Sequence, residues 1–277
     1  MTHIAVTGST GAVGGAVARL LADQSPRLVV RDASRAPSIA GSEVAVASYD
    51  DPDAARRALD GIDVLFMVSA AESASRREEH RTFIAAAASA GVGHIVYTSF
   101  AGAAADATFT LGRDHWDAES AIRSSGMAFT LLRDNFYLDV LPLFADESGA
   151  IRGPAGSGLV AAVARADVAE VAAVVLGSPD EHAGAAYELT GPEALGLDQI
   201  ASRAGRALGR DLRYVEESVD EAYASRRASY DVAQWQLDAW VSTYTAIADG
   251  SVAEVTDDVA RLLGKPARTL EQALRAD

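Results

Sequence analysis

The sequence predicts an α/β fold: a doubly wound parallel sheet covered by helices on both faces, followed by a smaller C-terminal α/β lobe. Three observations carry that prediction. Short, uninterrupted apolar runs alternate with segments of helical period through the first half of the chain, as a sheet buried on both faces requires. Glycines spaced three apart, Gly8, Gly11 and Gly14, separate the first apolar run from the first such segment. Near Ile151 the alternation gives way to a glycine-rich turn, Gly153-Pro154-Ala155-Gly156-Ser157-Gly158, where the smaller lobe begins.

Ile4-Ala5-Val6 reads as the first strand, and Val13, Val17, Leu20 and Leu21 then form the apolar stripe of a helix. Leu28-Val29-Val30 and Val44-Ala45-Val46 are the second and third strands. Pro52 suits a helix's first turn and Gly61 its end, so 52–59 is helical ahead of a buried strand at 64–68. Segment 76–90 is the next helix, 91–93 a turn, 95–97 the fifth strand, 115–124 a helix and 129–132 the sixth strand. Beyond them, 167–176 reads as a helix with Asp167 as N-cap, 187–189 as a strand, 197–208 as a helix and 212–215 as a strand, with further helices to the end. The expected division is 1–150 and 151–277, with the two lobes interleaved.

Composition excludes several classes. At 277 residues, with 49% hydrophobic and 23% charged side chains, the chain fits a globular protein that can hold one large domain and a lobe. No apolar run reaches the ~20 residues that span a bilayer. Met1-Thr2-His3 leads straight into a strand without a signal-peptide pattern, so a cytoplasmic location is expected. The absence of cysteine removes disulfides, thiolate nucleophiles and cysteine-ligated zinc. A net charge of −15 argues against nucleic acid as a partner, because gripping it takes a basic stripe. His3, His94 and His182 are scattered, with no ligand-type histidine spacing, so no metal site is expected. No G-x-S-x-G is present, which removes the nucleophile elbow of a serine hydrolase.

The glycines then acquire a setting. Between a strand and a helix, Gly8 allows a tight turn, Gly11 lets backbone approach a pyrophosphate, and Gly14 lets helix and strand pack closely. The N–H groups and partial positive charge of a helix start suit the phosphates, so an acidic protein can still bind an anionic cofactor. After the second strand come Arg31, Asp32 and Arg35. Arginine there accommodates a 2′-phosphate, whereas an acidic residue bonds a free 2′-hydroxyl. The two arginines point to NADP(H), and Asp32, if aimed at the ribose, would oppose it.

The stretches TGSTGAVGG, VVRDASRA, HIVYTSFAG, HWDAESAIRSSGMAFTLLRDNFYLD and TDDVARLLGKPARTLEQAL resemble the NmrA-like branch of atypical short-chain dehydrogenases, in the group of type 2 NAD(P)H:quinone oxidoreductases and triphenylmethane reductases. The likeness covers nearly the whole chain. It implies that Gly8, Thr10, Gly11, Ala12 and Val13 contact the pyrophosphate and Arg31 the 2′-phosphate, and the motif reading adds Gly14 and Arg35 to the cofactor-binding set. It also implies Ser69 and Ala70 at the adenosine and ribose, Thr98 and Ser99 beside the nicotinamide, and His115 at the nicotinamide ribose. Asn135, Phe136 and Tyr137, past the sixth strand, are the substrate-wall candidates. Ser48 stands where many relatives carry an aspartate near the adenine.

Four residues before His115, where a typical short-chain dehydrogenase has its catalytic tyrosine, this chain has Leu111. Without that phenol, ketone–alcohol interconversion is disfavoured, whereas a quinone or a conjugated dye accepts a hydride without a positioned acid. His115 is the catalytic candidate, either as proton donor or as ribose ligand. His80, on the helix 76–90, reaches the cofactor edge or reads as a helix-surface residue, the second being the more common case for such a position. Trp235, Leu237, Trp240, Tyr244 and Ile247 line the cleft or fill the lobe's core, and Arg165 reaches the site or solvent. The small-molecule partner expected is a quinone or similar electron acceptor, with a homodimer as candidate assembly. The alternative is a non-catalytic NADP(H) sensor of the family's regulatory kind.

Overall fold

The computed structural model describes residues 2–275. Its elements run β1 Ile4–Thr7, α1 Ala12–Leu20, β2 Arg27–Val30, β3 Val44–Val46, α2 Pro52–Ala58, β4 Val64–Met67, α3 Arg76–Ser89, β5 His94–Phe100, α4 Thr110–Ser124, β6 Ala128–Asp134, β7 Ala150–Gly153 and α5 Arg165–Gly177. They continue with β8 Ala186–Leu189, α6 Leu197–Leu208, β9 Arg213–Glu216, α7 Val219–Ser229, α8 Gln234–Ala248, α9 Asp258–Leu263 and α10 Leu270–Ala273. The main sheet has the order β3-β2-β1-β4-β5-β6-β8. Pairs β2 with β3, β1 with β2, β1 with β4 and β4 with β5 are all parallel. The reversal of strand order between β1 and β4 makes this the doubly wound sheet expected, with its switch point beside the glycine turn. A second, two-stranded sheet pairs β7 with β9 in parallel.

The chain divides into two compact units, Met1–Phe100 with Asp114–Arg133 and Val168–Tyr187, and Ala101–Arg113 with Asp134–Asp167 and Glu188–Asp277. This differs from a division at residue 150. The first unit reclaims most of α5 from beyond that point, and the second takes the segments that follow β5 and β6. Those segments follow the strand ends and bond within the second unit, as Thr108 does to Asp249 and Asn135 to Val252.

The first unit's core is formed where sheet meets helix: Leu65, Met67, Phe83, Ile84, Ile95, Tyr97, Ile122 and Leu131 are buried in one cluster. Ala-rich α3 packs closely because Ala86 and Ala87 present little bulk. Leu20, assigned to the α1 stripe, is 53% exposed, because it closes the helix at its outer edge. Val44 and Val46 are also exposed, as befits a short edge strand. Helix α4 begins at Thr110, five residues earlier than expected, and so includes Leu111 in its first turn. Asp167 lies inside the first turn of α5 and is no N-cap: its buried carboxylate accepts from the Arg268 backbone N–H at 2.7 Å and pairs with the Arg268 guanidinium. No helix among the described residues is long and apolar enough to cross a membrane.

Candidate functional site

The loop joining β1 to α1 is shaped by its glycines. Gly8 has φ +62°, and a Cβ there would lie 2.9 Å from Val68 Cβ, so the turn demands glycine on both counts. A Cβ on Gly14 would meet the Gly8 carbonyl oxygen at 2.4 Å, which fixes this glycine as the one that lets α1 close onto the loop. Gly11 donates its N–H to the Gly8 carbonyl at 2.9 Å and opens α1 with no side-chain cap. Gly8, Thr10, Gly11 and Ala12 are exposed, while Val13 and Gly14 are buried beneath them. Ser9 Oγ is buried without a hydrogen-bond partner among the described residues, the kind of orphan that a bound anion satisfies.

At the end of β2, Arg31 and Arg35 are both exposed. The Asp32 carboxylate accepts from the Ser34 backbone N–H at 2.9 Å and its hydroxyl at 2.7 Å, and these bonds hold its pKa below the usual carboxylate value. Its charge is therefore turned onto its own short turn. Ser48 donates to Asp50, whose carboxylate is exposed.

The turn after β4 is clamped from three sides. The Thr98 hydroxyl accepts the Ser69 N–H at 2.8 Å, His80 Nε2 accepts the Ala70 N–H at 2.8 Å, and Arg76 Nε donates to the Ala70 carbonyl at 2.9 Å. His80 is thus no surface residue. It is fully buried, and burial, with Arg76 adding to it, holds its pKa down to about 3. A second clamp sits beside the glycine turn: Tyr49 donates to the Val68 carbonyl at 2.6 Å and bonds Thr7 Oγ1 at 2.6 Å, and Thr7 accepts the Val68 N–H at 2.9 Å. Neither Tyr49 nor Arg76 was singled out in the sequence. Arg76 and His80 are four apart on one helix, a same-face spacing that carried the signal.

His115 is held rather than open. It is 7% exposed, with Nε2 at 3.0 Å from Arg76 Nη2 and Nδ1 at 3.1 Å from the Tyr97 hydroxyl. Arginine can only donate, so Nε2 is the bare nitrogen and Nδ1 carries the proton. Burial first, then the charge of Arg76, keeps the ring neutral by pushing its pKa well below the histidine value. Asp114, one residue earlier, pairs with Arg77 at 2.6 Å and approaches Arg76 at 3.5 Å.

Thr98 and Ser99 lie within β5 rather than past its end, and both are buried. The Ser99 hydroxyl is spent on Glu119 at 2.6 Å. Glu119 is a fully buried carboxylate that also receives Arg133 at 2.7 Å and Arg123 at 3.0 Å. This cluster ties β5, α4 and β6 together, and it makes Ser99 a structural residue of the strand.

In the second unit, Leu111 is buried at 9% exposure, so an aliphatic side chain fills the position of the usual tyrosine. Asn135 is 2% exposed and its amide is used internally, donating to the Val252 carbonyl at 2.9 Å and accepting the Phe136 N–H at 2.7 Å. The wall of three expected from sequence therefore reduces to Phe136 and Tyr137, both partly exposed. Phe136 packs edge-on against Phe109 at 5.1 Å. The Tyr137 hydroxyl donates to the buried carboxyl of Asp134. Arg165 is paired with Asp139 rather than reaching outward.

A cavity of about 580 Å³ opens in this unit, with Phe144, Tyr230, Trp240 and Tyr244 among its walls and Arg152 and Arg226 at its side. Of the aromatic and apolar residues expected at a cleft or core, Trp240 and Tyr244 line it, while Leu237 and Ile247 are core.

The glycine turn, the uncapped helix start, the orphan Ser9 hydroxyl and the exposed arginines after β2 fit a dinucleotide phosphate chain. Fold and site together define a nicotinamide-dinucleotide-binding protein. Residues 8–179 match the NAD(P)H-binding family model, and the chain belongs to that family, in its NmrA-like branch. It is 31% identical to the NAD(P)H azoreductase of Xenophilus azovorans over 99% of this chain and 97% of that one. It is 35% identical to the (4-alkanoyl-5-oxo-2,5-dihydrofuran-3-yl)methyl phosphate reductase of Streptomyces griseus subsp. griseus, over 96% and 94%. The crystal structure of the NADPH-dependent quinone oxidoreductase of Escherichia coli in complex with NADPH is similar with a TM-score of 0.88 at 30% identity, covering 98% of each chain. The protein is an oxidoreductase, and the sensor alternative gives way to an enzyme.

Proposed function

We propose that the protein reduces quinones and similar planar conjugated acceptors with NADPH. One observation carries this reading: the position of the usual phenolic acid holds buried Leu111, and the nearby His115 is neutral with both ring nitrogens engaged inside the protein. An acceptor that takes a hydride into an extended electrophilic system suits such a site, because position and orientation suffice for the hydride step.

Gly8, Thr10, Gly11, Ala12, Val13 and Gly14 would hold the pyrophosphate at the start of α1, with Ser69 and Ala70 at the adenosine and ribose. Arg31 and Arg35 would take the 2′-phosphate, with the Asp32 carboxylate held in its own turn by Ser34. Bound there, NADPH supplies a hydride from its nicotinamide ring. Thr98, His80 and Arg76 fix the Ser69-Ala70 backbone, and His115 orders Arg76 and Tyr97, a positioning role in place of acid catalysis. Phe136 and Tyr137 offer aromatic surface to a planar acceptor.

The test is anaerobic stopped-flow oxidation of NADPH against a panel of quinones, azo dyes and cationic dyes, with stereospecifically deuterated NADPH. Deuterium in the reduced product, with a primary isotope effect in a single turnover, is the expected result. NADPH that binds without reducing any acceptor of the panel would overturn the reading.

A further inference from the structure

Asp134 ends β6 as a carboxyl that is 4% exposed, and the Tyr137 hydroxyl is its side-chain partner. Among the described residues no cation is paired with it. The charged groups that face the pair are Asp139, on the loop after β6, and Arg165, opening α5, and these two are paired with each other. Burial pushes the carboxyl up to about 7, against the opposing effect of the Tyr137 hydrogen bond. Tyr137 itself is only partly buried, so the tyrosine is the more accessible member of the pair.

The two protonation states of Asp134 use the tyrosine differently. Facing a carboxylate, Tyr137 must donate to it, and its one proton is spent. Facing a carboxylic acid, Tyr137 accepts the Asp134 O–H on its oxygen, which releases the phenolic O–H to donate elsewhere.

We propose that Tyr137 is the hydrogen-bond and proton donor to the carbonyl oxygen of the acceptor, with Asp134 behind it as the proton reserve. This rests on the reductase reading above. Once the acceptor has taken a hydride, its oxygen carries the negative charge. The Tyr137 O–H bond breaks and its proton passes to that oxygen, the Asp134 proton replaces it on the tyrosine, and water reprotonates the carboxylate. The acceptor thereby gains two electrons and two hydrogens, one as hydride and one as proton. Donation is strongest while Asp134 is protonated, so it weakens as pH rises through about 7.

The experiment compares wild type, Tyr137→Phe and Asp134→Asn as full chains with folding checked by circular dichroism. Infrared titration reads the carboxylic-acid band that Asp134→Asn removes, and this band is expected to vanish as pH rises through about 7. Fluorescence titration with xanthone, a planar redox-inert ketone, reads the hydrogen bond without cofactor. Wild type is expected to bind it about fivefold more tightly at pH ~5.5 than at ~8.5, and Tyr137→Phe to show no such difference. Turnover of 1,4-naphthoquinone with NADPH is expected to lose its limb near pH ~7 in both variants, with kcat falling about tenfold in Tyr137→Phe. Failure of wild type to bind xanthone at either pH, a carboxyl that is fully ionised by pH ~5, or wild-type pH dependence in Tyr137→Phe overturns the proposal; should Asp134→Asn misfold, Tyr137→Phe decides it alone. Wild type that reduces no quinone, yet gives the expected titration and xanthone binding, overturns the quinone reading and leaves the donor pair standing.

Discussion

The two compact units hold their loops by contacts of different range. In the first, Ala70 is fixed by side chains 6 and 10 residues away, His115 by Arg76 at a separation of 39 and Val68 by Thr7 at 61. In the second, Asn135 reaches Val252 across 117 residues, Thr108 reaches Asp249 across 141, and Asp167 reaches Arg268 across 101. Closing a longer loop costs more chain entropy, and the second unit is held through pairs that no local pattern announces. The first unit is assembled largely from neighbouring strand and helix repeats. The consequence is that cofactor binding and overall stability are separable by mutation.

The largest separation is expected from Gly14→Val. Its side chain would drive into the Gly8 carbonyl, 2.4 Å from the first added carbon, and distort the turn that holds the phosphates. NADPH affinity should fall by roughly two decades or more, about 3 kcal/mol, in a fluorescence titration. The reverse pattern is expected from Asp167→Ala, which removes the buried partner of Arg268. Because Arg268 is 25% exposed and water shares its charge, the cost is about 2 kcal/mol rather than that of a sealed pair. Denaturant unfolding should report it, while NADPH affinity stays within about threefold.

What could be read in advance follows the same line. The strands and helices of the first unit, the tight turn at Gly8 and the close packing at Gly14 are legible because each depends on residues a few positions apart, whereas the contact of Gly8 with Val68 is not. The clamp of Ser69-Ala70 was only half legible: Arg76 and His80 share a helix face, but nothing in their spacing says that the face is buried. The helix-surface reading of His80 fails for that reason. Asn135 and Asp167 were assigned by local logic, a strand end and a helix start, while their side chains answer to Val252 and Arg268 far along the chain. The pairing of β7 with β9 joins segments about 60 residues apart and left no mark in either alone.

Cofactor choice offers a finer cut within the first unit. Arg31→Ala should lower NADPH affinity by about 2 kcal/mol, between one and two decades, and leave NADH nearly unchanged. Competitive titration of both nucleotides gives the ratio. A ratio that does not move removes Arg31 from the 2′-phosphate, and the same measurement on Arg35→Ala then decides whether that arginine takes it instead.

The smallest effect is expected at His115, and its size decides what this histidine is for. Its ring accepts from Arg76 through Nε2 and donates toward Tyr97 through Nδ1, and burial with the Arg76 charge keeps it neutral. A group whose pKa is pushed well below the usual value has already lost its proton over the pH range of a working assay, so no limb of the pH profile between about pH 5 and 8 should belong to it. Glutamine can repeat both bonds, its carbonyl oxygen accepting and its amide nitrogen donating, so His115→Gln should keep kcat within about threefold. Leucine can repeat neither and would leave a buried guanidinium N–H without its acceptor, so His115→Leu should lose about tenfold through the misplaced Arg76 and the loosened Ser69-Ala70 turn. A proton donor behaves otherwise: both variants would fall ~10²–10⁴-fold and shed a limb of the profile together. The order wild type, glutamine, leucine in closely spaced steps marks a positioning residue, and a common collapse marks an acid.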